Sequence, residues 1–300
     1  MKFSFVILHY NALPDTIECI DSIKKCVGPD CGIVVVDNKS PNGTGVELDA
    51  KYCDDAQVTV ILNPENEGFA RGNNVGFRYA KEHQDPDFIV MLNNDTLILQ
   101  DDFTARVEKE YEQSHFAVLG PIIKTPHKPY SSNPGPSKLP SENWYKKYVR
   151  KVSFKLFLNR IFGLDAAYEW LLSKLLGKKD KKFDESLLER RAENVLLHGS
   201  FLIFSRDYIS KFDGLNDRTF LYHEERLLFL RLLQNGMKSV FTPDIEIFHK
   251  EDAATKTVSA KSRLKRRFQY KHYINSAKVM LDVMRNGEIT GIPPHILRRP

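Results

Sequence analysis

The residues best able to do chemistry fall in two short stretches. In Phe88-Ile89-Val90-Met91-Leu92-Asn93-Asn94-Asp95, an apolar run ends in three polar residues, the last a carboxylate. Such a run reads as a buried parallel strand. Ligands of open α/β sheets sit beyond the carboxyl ends of these strands, so Asp95 stands where a ligand or metal would be met. A hard cation holding a diphosphate needs only one or two protein carboxylates, because phosphate oxygens and waters fill its other positions. The second stretch, Phe220-Leu221-Tyr222-His223-Glu224-Glu225, sets adjacent carboxylates before a helical pattern. Neighbours at a helix N-terminus point different ways, so one can bind substrate while the other takes a proton. The helix dipole alone also favours acids there.

Other polar residues end strands or begin helices. His9, Tyr10, Asn11 and Asp37 fall at the ends of the first two strands. Asp37 can accept a hydrogen bond from a base N–H or a ribose hydroxyl, or it can cap a turn with Ser40. Asn66-Glu67-Gly68-Phe69-Ala70-Arg71-Gly72-Asn73-Asn74 opens a helix with glycines, and exposed N–H groups there would favour an anion. It is neither a P-loop nor a dinucleotide fingerprint. His249 closes a later strand and reads either as a further metal ligand or as a structural imidazole.

These residues need a frame, and the first half supplies an alternating one. Strands are expected at Phe3 to Leu8, Ile33 to Val36, Val58 to Leu62 and Phe88 to Leu92. Helical patterns occupy Asp15 to Lys25, Val46 to Tyr52 and Gly68 to His83. The rhythm predicts a mainly parallel sheet covered by helices on both faces. Further on, a helix is expected from about Asp102 to Gln113 and over Leu227 to Gln234. Strands are expected at Ala117 to Ile123, Val195 to Phe204, Ser239 to Thr242 and Ile245 to Phe248. The Pro, Ser and Gly of Thr125 to Pro140 suggest a mobile loop.

The 300 residues, 42% of them hydrophobic, can bury a sizeable core, and the net charge of +5 says little by itself. Its distribution says more. Trp144 to Lys182 holds eleven Lys or Arg against Asp165, Glu169 and Asp180, interleaved with aromatics and leucines. That pattern fits a helix at an anionic membrane surface, or an ordinary insertion with a solvated basic face. A second basic helical run spans Lys261 to Lys271, and the tail after Asn286 reads as loosely packed.

Cys19, Cys26, Cys31 and Cys53 lack zinc-ribbon or redox spacing and read as reduced thiols. The apolar run at the N-terminus is too brief for a signal-peptide core, and no stretch is long and apolar enough to cross a bilayer. A cytoplasmic protein is expected, peripheral at the inner membrane face if the basic segments bind lipid. Nucleic acid is not an expected partner, because the basic runs lie outside any recognisable module.

Taken in order, these motifs resemble glycosyltransferase family 2, in its bacterial rhamnosyl- and galactosyltransferase-like branch. The resemblance rests on Val6-Ile7-Leu8-His9-Tyr10-Asn11, Val34-Val35-Val36-Asp37-Asn38-Lys39-Ser40 and the 66–74 segment. It continues through Leu92-Asn93-Asn94-Asp95, Gly199-Ser200-Phe201-Leu202-Ile203, Tyr222-His223-Glu224-Glu225 with Arg231 and Gly236, and His249. It implies a GT-A fold: an α/β, mainly parallel mixed sheet flanked by helices, with a basic helical insertion and a C-terminal helical extension. Residues 1–124 would form the nucleotide-sugar-binding half, 125–193 the mobile loop and basic insertion, 194–250 the acceptor and catalytic half, and 251–300 the extension.

The same resemblance implies roles. His9, Tyr10, Asn11 and Asp37 would hold the base of a UDP- or dTDP-sugar. Arg71 and Asn74 would line its phosphate side, Asn94 would face its ribose, and Asn93 would join the nucleotide site. Asp95 and His249 would bind Mg²⁺ or Mn²⁺, and Gly199 and Ser200 would lie under the donor sugar. Glu225 would be the general base, with Glu224 on substrate hydroxyls, in an inverting transfer to a saccharide on a polyprenyl diphosphate during surface-polysaccharide synthesis. Two features depart from the usual pattern. The metal motif offers one acid rather than two, and Glu224-Glu225 stands for Glu-Asp, followed by Arg226-Leu227. A catalytically silent nucleotide-sugar-binding protein is the other reading. A nucleotidyltransferase would want a Gly-rich loop with Lys or Arg after the first strand, which His9-Tyr10-Asn11 lacks.

Overall fold

A computed structural model describes residues 1–126, 131–176, 185–251 and 262–287. Its first half is a parallel sheet. β1 (Phe3–His9), β2 (Cys31–Asp37), β3 (Val58–Leu62) and β4 (Phe88–Asn93) lie in the order β3-β2-β1-β4. They are linked by α1 (Leu13–Val27), α2 (Thr44–Tyr52) and α3 (Gly68–His83). β1, β2 and β4 are mostly apolar because both faces are covered, whereas the edge strand β3 is only partly buried. Phe5, Ile7, Ile33 and Val35 enter one core with Ile20 and Ile23 of α1. Val6, Val34 and Val36 enter the other with Ala70 and Phe77 of α3. Parallel register sets His9 beside Asp37 and Leu8 beside Asn93, so the polar strand ends share one edge.

The second half adds β5 (Thr96–Ile98), α4 (Phe103–Ser114), β6 (Val118–Lys124), α5 (Glu142–Arg160) and α6 (Asp165–Leu176). After these come β7 (Ala192–Glu193), β8 (Phe201–Ser205), α7 (Arg206–Ile209), α8 (Glu224–Gln234), β9 (Ser239–His249) and α9 (Arg263–Asn286). The nine-stranded mixed sheet continues β4-β8-β6-β9-β5, with β7 on β9. β8 is antiparallel to β4, so Phe201 at its start lies opposite Leu92 at the end of β4. β9 is antiparallel to β5, and its last residue, His249, lies opposite Thr96. Three distant segments therefore meet at one end of the sheet: 93–95, 198–200 and 249. A third core joins α5, α8 and α9 through Tyr145, Leu227, Ala277, Met280 and Val283.

Several expected elements differ in extent. Val195 to Ser200 is not part of β8, because the N–H groups of Leu196, His198 and Gly199 go elsewhere, to Pro136 O, Asn133 Oδ1 and Glu225 Oε1. The same bonds anchor residues 133–136 of the segment read as a mobile loop, and Ser131 Oγ accepts the N–H of Ile123. The strands expected at 239–242 and 245–248 are one strand running through Pro243, opposite a register shift in β6 between Gly120 and Ile122. The basic segment is two helices with a sharp corner at Phe162-Gly163, whose φ angles are 49° and 78°. The basic run at 261–271 extends to Asn286 because Ile274, Ala277, Met280 and Val283 form a buried stripe. The tail from residue 288, residues 177–184 and residues 252–261 lie outside the described residues.

Candidate active site

Asp95 lies just past β4, and its carboxylate is buried. Its Oδ1 stands 3.0 Å from His249 Nε2, off the ring's N–H direction, so that oxygen accepts no hydrogen bond. The backbone holds the pair in place, since Lys250 N–H donates to Asp95 O at 3.0 Å. Lys250 Nζ then bonds Asp15 Oδ1 at 2.8 Å and also reaches Glu18, tying the end of β9 to α1. Two ligand atoms about 2.1 Å from one octahedral ion are themselves about 3 Å apart. The orphaned carboxylate oxygen and the facing imidazole thus fit Mg²⁺ or Mn²⁺. Among the described residues no group of three or more His, Cys, Asp or Glu gathers to hold a metal. The pair suits an ion that takes its remaining ligands from phosphate and water.

The carboxylate pair begins α8. Glu225 Oε1 accepts the N–H of Gly199 at 3.3 Å. The same 198–200 segment reaches the other pair, because Asn93 N–H donates to Ser200 O at 2.9 Å and the His198 and His249 rings lie 6.3 Å apart. Ser200 is buried, and its Oγ lies 2.9 Å from His198 Nδ1. Asp95, His249, Gly199, Ser200 and Glu225 are therefore brought together through one short bridge. Glu224 is buried and accepts the Thr219 hydroxyl at 3.1 Å. Burial, then the charge of Glu225, pushes its pKa up to about 7.

The turn before this pair is strained. Tyr222 and His223 both adopt left-handed φ, 74° and 71°, which is costly for bulky side chains. Four contacts hold it: Ser276 Oγ donates to Leu221 O, the Tyr222 ring lies tilted against Tyr273, and His223 packs edge-on against both Tyr145 and Tyr148. Burial lowers the His223 pKa to about 4, with Arg226 adding to the effect. Arg226 in turn donates to Tyr145 OH at 3.3 Å and lies over the Trp144 ring.

At the first two strand ends, the Asp37 carboxylate caps its turn. It accepts the Ser40 backbone N–H at 3.1 Å and the Ser40 hydroxyl. Of the two roles open to it, the turn occupies the side chain, and a Cβ on Gly45 would collide with it at 2.2 Å. His9 is fully buried, with Nδ1 2.7 Å from Thr16 Oγ1 and Nε2 2.9 Å from Thr44 Oγ1. Asn94 Nδ2 donates to the same Thr16 hydroxyl at 2.9 Å. The imidazole therefore braces the edge from below, and burial lowers its pKa. Tyr10 is exposed, and Asn11 sits at φ 66° with its N–H on Ser40 Oγ.

The segment 66–74 departs from its expected anion-binding role. The Glu67 N–H goes to Asn38 Oδ1, the Gly68 N–H to Asn66 Oδ1 and the Phe69 N–H to Phe220 O. The donors that would meet an anion are spent inside the protein. Asn74 is expected to line a phosphate, yet it grips the backbone of Leu215 with both amide atoms, at 2.7 and 2.8 Å. Arg71 Nε donates to Asp217 O at 2.9 Å. Both residues fasten the 214–222 loop, and through it the Glu pair, to α3. Sequence reasoning missed His198, Thr219 and His223. The only signal was their position beside Gly199-Ser200 and Glu224-Glu225. The four cysteines are free thiols, three of them buried.

Comparison with known proteins bears on the family and the fold. The low-salt glycan biosynthesis hexosyltransferase of Haloferax volcanii is 24% identical over 225 residues, 74% of this chain and 58% of that protein. The dTDP-rhamnosyl transferase RfbF of Shigella flexneri is 28% identical over 118 residues, 39% of this chain and 37% of that one. The chain thus spans little more than half the length of the first and about a third of the second. Staphylococcus aureus TarS 1–349 in complex with UDP superposes with a TM-score of 0.52 at 15% identity, covering 96% of this chain and 67% of that one. A mannosyltransferase of Pyrobaculum calidifontis in complex with GDP-Man and Mn²⁺ gives 0.50 at 15%, covering 96% and 76%. These likenesses speak to the fold, which is of the GT-A type. The sequence profile of glycosyl transferase family 2 matches residues 4–166, more than half of the chain, and the protein belongs to that family.

Proposed function

We propose that the protein transfers a sugar from a nucleoside diphosphate sugar, UDP- or dTDP-linked, to a saccharide hydroxyl, inverting the anomeric carbon. The observation that carries this reading is the convergence of Asp95–His249 and Glu225 on the 198–200 bridge. An acceptor hydroxyl is a poor nucleophile at neutral pH. The Glu225 carboxylate, oriented by the Gly199 N–H, takes its proton as the new bond forms. Asp95 and His249 would hold Mg²⁺ or Mn²⁺, which supplies positive charge against the departing diphosphate. A base and a leaving group on opposite sides of one carbon give a single displacement, hence inversion.

Glu224, with a pKa of about 7, carries its proton part of the time at neutral pH and can donate to a substrate hydroxyl. Tyr10 offers an exposed ring to the base of the donor. The relatives' named roles in glycan biosynthesis and dTDP-rhamnosyl transfer support a glycan product; on this reading the acceptor is a surface saccharide carried on a polyprenyl diphosphate. The test is Glu225→Gln assayed for donor binding and for nucleoside diphosphate release with acceptor. Donor binding should persist while transfer falls by about 10²- to 10⁴-fold. Transfer at the wild-type rate would put the base elsewhere.

A further inference from the structure

The helical layer carries a surface that the transfer reaction does not use. α5 turns Tyr145, Val152 and Asn159 inward, at heptad spacing. Its opposite side shows Phe157 among Lys147, Arg150 and Lys151, three cations with no ion pair among the described residues. The chain then bends at Phe162-Gly163, where Phe162 is held in a left-handed conformation and is 92% exposed. In α6 the one described side chain that is buried is Asp165, while Trp170 and Leu175 are 58% and 71% exposed. Leu264, 73% exposed, joins the same corner because Arg263 donates to the carbonyls of Asn159 and Arg160.

Adjoining apolar side chains of this size mark a surface that something covers. A second copy on a two-fold axis would bring the α5 cations against their own kind. An anionic lipid surface meets them with opposite charge, while the headgroup boundary takes the apolar rings. The Lys174 ammonium, 4.2 Å from the Trp170 ring centre, is the pairing found where an aromatic body is buried below a charged level.

We propose that the α5–α6 corner and the outer side of α6 dock on an anionic bilayer, with Phe162 and Trp170 inserted and the α5 cations on lipid phosphates. This deepens the reading of a lipid-linked acceptor and rests on it only for its purpose, because the surface is read from exposure and charge.

The test is flotation of the full chain with phosphatidylcholine vesicles, with and without phosphatidylglycerol. Binding is expected at low salt to the anionic vesicles alone. Lys147→Gln and Lys151→Gln should each weaken it by about fivefold. Phe162→Asp combined with Trp170→Glu should abolish it, with sugar transfer to a soluble acceptor unchanged. Absence of binding to anionic vesicles at low salt would overturn the proposal, as would binding that survives the double variant. A concentration-dependent dimer dissolved by the double variant, without vesicle binding, would assign the face to a second copy instead. The vesicle-binding readouts need no transfer, so an active Glu225→Gln variant would leave the vesicle result standing.

Discussion

Glu225 Oε1 accepts the backbone N–H of Gly199 at 3.3 Å, and a Cβ added at 199 would stand 3.1 Å from that same oxygen. The carboxylate is thus seated on a spot where only a hydrogen lies between it and the chain. Gly199→Ala should displace Glu225 by a few tenths of an ångström while leaving both residues in place. Transfer should fall by about tenfold with little change in donor affinity, because orientation rather than binding is disturbed. Steady-state kinetics checks this: a loss confined to KM for the donor would contradict it.

The Asp95–His249 pair predicts a metal-linked change in nucleotide affinity. In Asp95→Ala the orphaned oxygen is gone, and titration calorimetry should show UDP binding that no longer responds to added Mn²⁺. His249→Ala should weaken the response rather than erase it, since one ligand remains. Unchanged metal-dependent affinity in Asp95→Ala would refute the assignment.

Glu224 makes stability depend on pH. Its pKa is raised from 4.5 to about 7 in the folded chain, so the folded state holds a proton that the unfolded state has already released. Below pH 4.5 both states are protonated and the group is neutral to stability. Between 4.5 and about 7 stability falls as pH rises, by up to about 3 kcal/mol, and it levels off above. Glu224→Gln should remove this slope. Chemical denaturation at pH 5 and pH 8 checks it, and a wild-type curve parallel to that of the variant would count against it.

Asn74 should matter for stability more than for the nucleotide. Asn74→Ala leaves the N–H and C=O of Leu215 without partners in a buried place, a loss of about 2 to 4 kcal/mol. The melting temperature should drop while donor affinity at a permissive temperature holds. A weaker donor with unchanged melting would restore Asn74 to the phosphate side.

The parallel half was legible because its strands are mostly apolar and are separated by helical patterns. Phe3, Ile33, Val58 and Phe88 all fall in the strands expected for them. The second half was less so. Val195 and Leu197 are as apolar as Phe201, yet their backbone bonds go to residues 133–136 and 239, which no local pattern reveals. Two strands are expected at 239–242 and 245–248, where one strand runs on past a bulge. α9 was cut short at its basic start, although Ile274, Ala277, Met280 and Val283 carry a helical period that a longer window would have caught.

In the site, Asp95 and Glu225 could be picked out because each ends or begins an element. The cap of Asp37 on Ser40 is local and was one of the two readings open in the sequence, but the contacts of Asn74 and Arg71 were not legible, because their side chains bond to backbone atoms whose neighbourhood is decided by the tertiary fold. His198 was passed over for the same reason. Its proximity to His249 arises only when β8 inserts antiparallel beside β4.

His249 is the final residue of β9, and β9 lies between β6 and β5. The imidazole that faces Asp95 therefore comes from far along the chain, and a truncation ending at α8 would keep Glu225 but lack His249.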